Sequence, residues 1–213
     1  MGDAEVVPLP TPRERSRVRM SGHQRREQLI RIGRDVFAER GFEGTAIEEI
    51  AERAKVSKPL VYEHFGGKEG LHAVVIDHEV LELVSRLRAS LEDVEPPRVQ
   101  LQRVVDAFLR YVEEEQAGFR VLVRDAPVGS GGGSLPSVLA DVATTVEALL
   151  SRELKARGFD HRKMAPILAR ALVGMVALTG QWWLDEGKPK RRVVTANLVN
   201  LVWNGLKDLQ KDP

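Results

Sequence analysis

Apolar residues recur every three to four positions along almost the whole chain, and no segment longer than a few residues alternates strictly between apolar and polar. That period belongs to the α-helix rather than the strand, so the expected fold class is all-α. A first helix is predicted over about 22–40, with Ile30, Gly33 and Phe37 in one stripe and Leu29, Ile32 and Val36 beside it. Gly41 suits a left-handed C-cap, after which Phe42 folds back on Phe37. A second helix is predicted from Thr45, because Thr45 and Glu48 have the spacing of a capping box. Its buried face reads Ile47, Ile50, Ala51 and Ala54. The pattern breaks at Lys55-Val56, and Ser57 is placed to cap a third short helix with Pro59 in its first turn. Val61 and Phe65 point one way on that helix, Lys58, Tyr62 and the edge of His64 another, and Gly66-Gly67 ends it.

A long helix follows over about 68–91, closed by the acidic, proline-bearing stretch 92–97. Further helices are predicted at 98–116, 119–125, 135–157, 161–186 and 190–209, with a flexible connector at 127–134 (Pro-Val-Gly-Ser-Gly-Gly-Gly-Ser). Pro166 either kinks the penultimate helix or marks its true start. The expected organisation is a disordered basic arm over 1–21, a helix-turn-helix domain over 22–84 with its motif at 46–65, and a larger ligand-binding and dimerisation domain over 85–213.

Composition permits this. Of 213 residues, 43% are hydrophobic and 30% charged, enough for a proper core. The net charge of +1 does not announce a polyanion partner, but its distribution does. Between Arg13 and Arg34 eight arginines face only Glu14 and Glu27. The alternative for that segment is a solvated, disordered arm. The chain has no cysteine, so disulfides and thiolate metal sites are excluded. The start lacks the apolar segment of a signal peptide, and no stretch reaches the roughly 20 apolar residues of a membrane span. The expected location is the cytoplasm.

The physical logic of the first three helices is a helix-turn-helix. The second helix braces the first, and the third turns a polar face outward at a width that fits the major groove. The spaced run Gly41-Phe42-x-x-Thr45, Ile47-x-x-Ile50-Ala51-x-x-Ala54-x-Val56-Ser57 and Val61-Tyr62-x-His64-Phe65-x-x-Lys68-Glu69-x-Leu71 resembles the DNA-binding domain of the TetR/AcrR family. The resemblance is dense over about 24–84; beyond it only length and helix count agree.

That resemblance implies a transcriptional regulator, most commonly a repressor, that binds a near-palindromic double-stranded operator as a homodimer and is released by a small molecule. It implies a phosphate contact for Thr45 and for Lys68, base or thymine-methyl contacts for Lys58 and Pro59, and backbone or base contacts for Tyr62 and His64. Ser57, at a helix start, is placed for a phosphate. Leu60 and Glu63 depart from the commoner pattern; Leu60 suits a thymine methyl, and Glu63 either a cytosine amine or solvent.

In the second domain the resemblance implies pairing of the last two long helices with those of a second copy. Ala169, Val173, Gly174, Ala177 and Leu178 on one helix, and Leu198, Leu201, Val202 and Leu206 on the other, are the candidate faces; the competing role is packing in the chain's own core, which some of them must fill. Candidate effector-lining residues are Phe108, Tyr111, Val112, Phe119, Leu122, Val146, Leu149, Val176, Thr179, Trp182 and Trp183; core packing is the competing role for each. Their apolar character points to an apolar or amphipathic effector, with a long-chain acyl compound first. Lys188, Lys190, Arg191 and Arg192 gather at the start of the last helix, where cations oppose the macrodipole. An anionic head group such as that of an acyl-CoA is one explanation, solvated surface charge the other.

Two other classes compete with this reading. For an enzyme, no nucleophile–base pair stands out, the glycine run 129–133 lacks the ending of a phosphate loop, and His78 with Glu82 is a lone i,i+4 pair. No cofactor or metal is expected. A sequence-tolerant architectural DNA-binding protein would not need some 120 residues beyond the head.

Overall fold

A computed structural model describes residues 20–93, 95–124 and 135–207. They form α1 (Gly22–Gly44), α2 (Ile47–Ala54), α3 (Lys58–Phe65), α4 (Lys68–Ala89), α5 (Pro97–Glu114), α6 (Gln116–Arg124), α7 (Leu135–Ala156), α8 (His161–Glu186) and α9 (Arg191–Lys207), with no strand among the described residues. The all-α expectation is met. The arginine-rich arm up to residue 19 and the connector at 127–134 lie outside the described residues.

Helix α1 begins with a capping box that the periodicity did not reveal: the Ser21 hydroxyl accepts from the Gln24 amide at 3.2 Å, and the Gln24 side chain accepts from the Ser21 amide at 2.9 Å. The helix is interrupted at Gly41, whose φ of 72° favours glycine. Phe42 then stacks on Phe37 with ring centroids 6.3 Å apart.

The capping box expected at Thr45 and Glu48 does not form. Thr45 is buried and its hydroxyl donates to the Gly41 carbonyl at 2.7 Å, so it closes the end of α1. Ala46 precedes α2 without a side-chain cap, and Glu48 pairs with Lys58 instead. Likewise Ser57 precedes α3 but makes no capping bond. An i,i+3 polar spacing cannot tell a residue that starts one helix from one that finishes the last.

Helices α1 to α4 make the head. Its core joins Leu29, Val36 and Phe37 of α1 to Ile50, Val61, Leu71 and Val75, all fully buried. Arg53 braces α2 onto α1 by holding Glu39 (2.7 Å) and Glu49 (2.6 Å). Helix α4 leaves the head and packs on α5 and α6, α1 also lies against α6, and α7 packs on α8. Helix α9 docks on α5, with Arg191 bound to Asp106 (3.2 Å) and Glu113.

Helix α8 starts before Pro166 and runs on through it. It is 26 residues long and contains an 18-residue window of mean hydropathy 1.3, so by length and composition alone it could span a membrane, which the sequence reading did not expect. Its apolar content has a different physical source: the helix has two apolar faces. Ala165, Ala169, Ala177 and Trp183 are buried in the chain itself. Ile167 and Leu178 are 68% exposed and Trp182 51%, and with Ala171 and Gly174 they form a second stripe at spacings of four, three, four and four.

Candidate nucleic-acid interface

Helix α3 is short and amphipathic across its width. Val61 is fully buried, with Phe65 packed beside it, and this anchors the helix on the head. The opposite side carries Lys58, Pro59, Tyr62 and Glu63, all exposed. Tyr62 keeps 46% of its surface open, and the Lys58 ammonium lies 5.7 Å above its ring. Lys58 also binds the Glu48 carboxylate. That hydrogen bond holds the lysine pKa above its ordinary value and the Glu48 pKa below its own. The lysine is therefore charged at any physiological pH, and contact with a phosphate exchanges one anion for another. Leu60 and His64 turn half under the helix, His64 against Phe65 at 6.0 Å, so they sit at the edge of the outward face rather than at its centre. Ser57 stands exposed at the helix start.

Two candidate phosphate contacts are placed otherwise than expected. Thr45 is only 4% exposed with its hydroxyl engaged internally, which withdraws it from a phosphate. Lys68 points back into the head: its ammonium donates to the Phe42 carbonyl at 3.0 Å and lies 4.4 Å over the Phe42 ring. It ties the start of α4 to the end of α1, with two further N–H donors on the same ammonium.

The candidate effector residues do not line one space. Phe108, Tyr111, Val112, Phe119, Leu122 and Trp183 are buried in a closed core. Gly180 packs so closely there that a Cβ would stand 2.6 Å from the Phe108 ring. Val146, Val176 and Thr179 are half-buried. Leu149 (43% exposed) and Trp182 face outward, and the Trp183 indole donates to the Pro189 carbonyl at 2.6 Å. A half-open cleft of about 220 Å³ lies elsewhere, among Ala38, Arg120, Val123, Gln181, Leu184 and Asp185; ligand sites usually hold about 300–1,000 Å³. The basic group before α9 is divided too, since Arg191 is spent on α5 while Lys188, Lys190 and Arg192 stay exposed.

The candidate dimer residues divide between the chain's own core and its surface. Ala169, Ala177, Leu198 and Val202 are buried within the chain, Val173 and Gly174 are half-buried, and only Leu178 and Leu201 stand clear; the Leu206 side chain lies outside the described residues. Ile167, Ala171 and Trp182 are also exposed on α8, at helical spacing from Leu178, and the sequence reading did not include them among those candidates. Also missed was Glu79, a carboxylate in the buried stripe of α4 with Ile76 and Leu83.

A short outward-facing helix, braced by two others and carried on an all-α bundle, defines a DNA-binding regulator of the helix-turn-helix class. The family profile described as bacterial regulatory proteins, tetR family, matches residues 29–75, and that of the tetracyclin repressor-like C-terminal domain matches residues 97–205. The chain belongs to the TetR family of transcriptional regulators. It is 31% identical over 196 residues to the HTH-type transcriptional activator FasR of Mycolicibacterium smegmatis, covering 88% of this chain and 85% of that protein. A transcriptional repressor of Mycobacterium tuberculosis is 32% identical over 161 residues, covering 71% and 79%. Among solved structures, a TetR-like regulator from Rhodococcus sp. RHA1 superposes with a TM-score of 0.72 at 27% identity, covering 90% of this chain and all of that one.

Proposed function

We propose that the protein binds a near-palindromic operator as a two-fold dimer and leaves it when an amphipathic acyl compound enters the bundle. The observation that carries this reading is the second apolar stripe of α8, Ile167, Ala171, Gly174, Leu178 and Trp182, left open in the single chain, as are Leu201 (63% exposed) and Val193 (40%) on α9. A chain rarely leaves so long a stripe in water. A second copy covers it with the same surface, since a two-fold interface is self-complementary. The two α3 helices then stand to reach successive major grooves, about 34–36 Å apart. Lys58, Pro59 and Tyr62 are the contacts at the centre of each head, with Ser57, Leu60 and His64 at its edge.

Relatives named as an activator and as a repressor fall at almost the same identity. The sign of regulation then follows from where the operator lies against the promoter, and repression is the reading for an overlapping site. The acyl effector is supported by the apolar walls of the α5–α6–α8 core. That core must open to admit it, so only a ligand with greater affinity for the open form shifts the equilibrium. Fluorescence anisotropy on the operator tests this: palmitoyl-CoA is expected to release the DNA and coenzyme A alone to leave it bound. Equal binding in the presence of both would eliminate the acyl class.

A further inference from the structure

Where the head meets the bundle, four helices converge on one buried carboxylate. Glu79 of α4 is 1% exposed. Its Oε2 accepts from the Tyr111 hydroxyl of α5 at 2.9 Å. Its Oε1 faces the Arg34 guanidinium of α1 at 3.5 Å and His78 Nδ1 at 3.4 Å. The same Arg34 nitrogen holds Glu115, between α5 and α6, at 3.0 Å. Gly118 of α6 leaves room for this arrangement: a Cβ there would stand 1.9 Å from Glu79 Oε2 and 3.1 Å from the Tyr111 hydroxyl. Two turns further along α4, Arg86 binds Glu82 and Glu114 (2.7 Å each) and Glu115 (3.3 Å), and lies 5.6 Å over the Tyr111 ring.

A buried carboxylate is costly, and a leucine in the same stripe would stabilise the fold at least as well. What the charge adds is geometry. Loss of one partner leaves the carboxylate short of compensation, so the cluster favours being fully made over being half made. Tyr111 belongs to two neighbourhoods at once. Its ring meets Phe119 edge-on at 6.4 Å, and Phe119 meets Phe108 at 5.8 Å, inside the effector core. Its hydroxyl is on the carboxylate carried by α4. A shift of the ring by about 1 Å takes a 2.9 Å hydrogen bond beyond useful range.

We propose that the Tyr111–Glu79–Arg34 chain is the latch that fixes the angle of the DNA-reading head against the bundle, with Glu79 as its positioning residue. This deepens the regulatory reading and rests on it for its purpose. Its test, however, needs neither operator nor effector. The chain has no cysteine, so Glu63→Cys on α3 and Arg162→Cys on α8, both exposed, take spin labels at two defined places. The doubly labelled chain, diluted in excess unlabelled chain, reports one head-to-bundle distance by double electron–electron resonance. A single narrow distance is expected with Tyr111 in place. Tyr111→Phe, which keeps the ring, is expected to spread it into a broad or two-peaked distribution; Glu79→Gln, which keeps the shape, is expected to do the same. An unchanged distribution in both variants, or a melting point that falls while the distance stays narrow, overturns the latch and reduces the cluster to a stabilising one. Either result stands apart from the operator measurements, whose failure would count against the regulatory reading instead.

Discussion

Arginine in place of Leu178 is expected to turn the proposed dimer into monomers and to remove operator binding. Leu178 sits in the middle of the α8 stripe and is 68% exposed in the single chain, so the substitution disturbs nothing inside the fold. In a two-fold interface the side chain occurs twice, and fully burying a leucine is worth about 1.5–3 kcal/mol, so with 68% of each still to bury roughly 2–4 kcal/mol is lost per dimer. That corresponds to about a hundredfold weaker dimer, before the cost of desolvating two arginines. The effect on DNA follows from the two heads acting together: linkage of two sites raises effective affinity by about 10²–10⁴, and a monomer forgoes it. Sedimentation velocity with operator titration measures both. A Leu178→Arg protein that stays dimeric and binds as before would place the interface elsewhere.

The double substitution Lys58→Ala with Tyr62→Ala is expected to spare the fold and weaken the operator complex roughly thirtyfold or more, from about 1 kcal/mol or more at each of two heads. Both side chains are exposed, and neither belongs to the buried core that anchors α3. Thermal stability should therefore change little, since surface substitutions usually stay within about 0.5 kcal/mol. The loss of two lysines per dimer is also expected to lower the slope of log affinity against log salt by about 2. Anisotropy titrations at several salt concentrations separate the outcomes. Unchanged affinity with an unchanged slope would show that α3 does not carry the contacts.

The head was legible in the sequence because its signals were local. The stripe of α1, the breaks at Gly41 and Gly66, and the i,i+4 pair Val61 and Phe65 each act within one or two turns. Thr45 and Lys68 were harder to place for a shared reason. Each is polar at a helix boundary, and nothing local says whether its bond goes back to the preceding turn or out to a ligand. Helix α8 shows the same limit on a larger scale. Periodicity finds its apolar positions but does not divide Ala169 and Ala177, which serve the chain's own core, from Ile167 and Leu178, which face away. For the candidate effector residues the sequence offers only an apolar set, and whether such a set encloses space depends on packing, as at Gly180 and Phe108. Glu79 was visible all along as a carboxylate at a buried helical position; its meaning lies in Tyr111 and Arg34, which are distant in sequence.

The most direct measurement is a footprint of the protein on a DNA fragment that it selects from a genomic pool. Two protected half-sites are expected, related by a two-fold axis and centred about one helical turn apart, at protein concentrations where neighbouring DNA stays open to cleavage. Protection spread evenly along the fragment, or a single half-site that does not change with Leu178→Arg, would contradict a paired reading head.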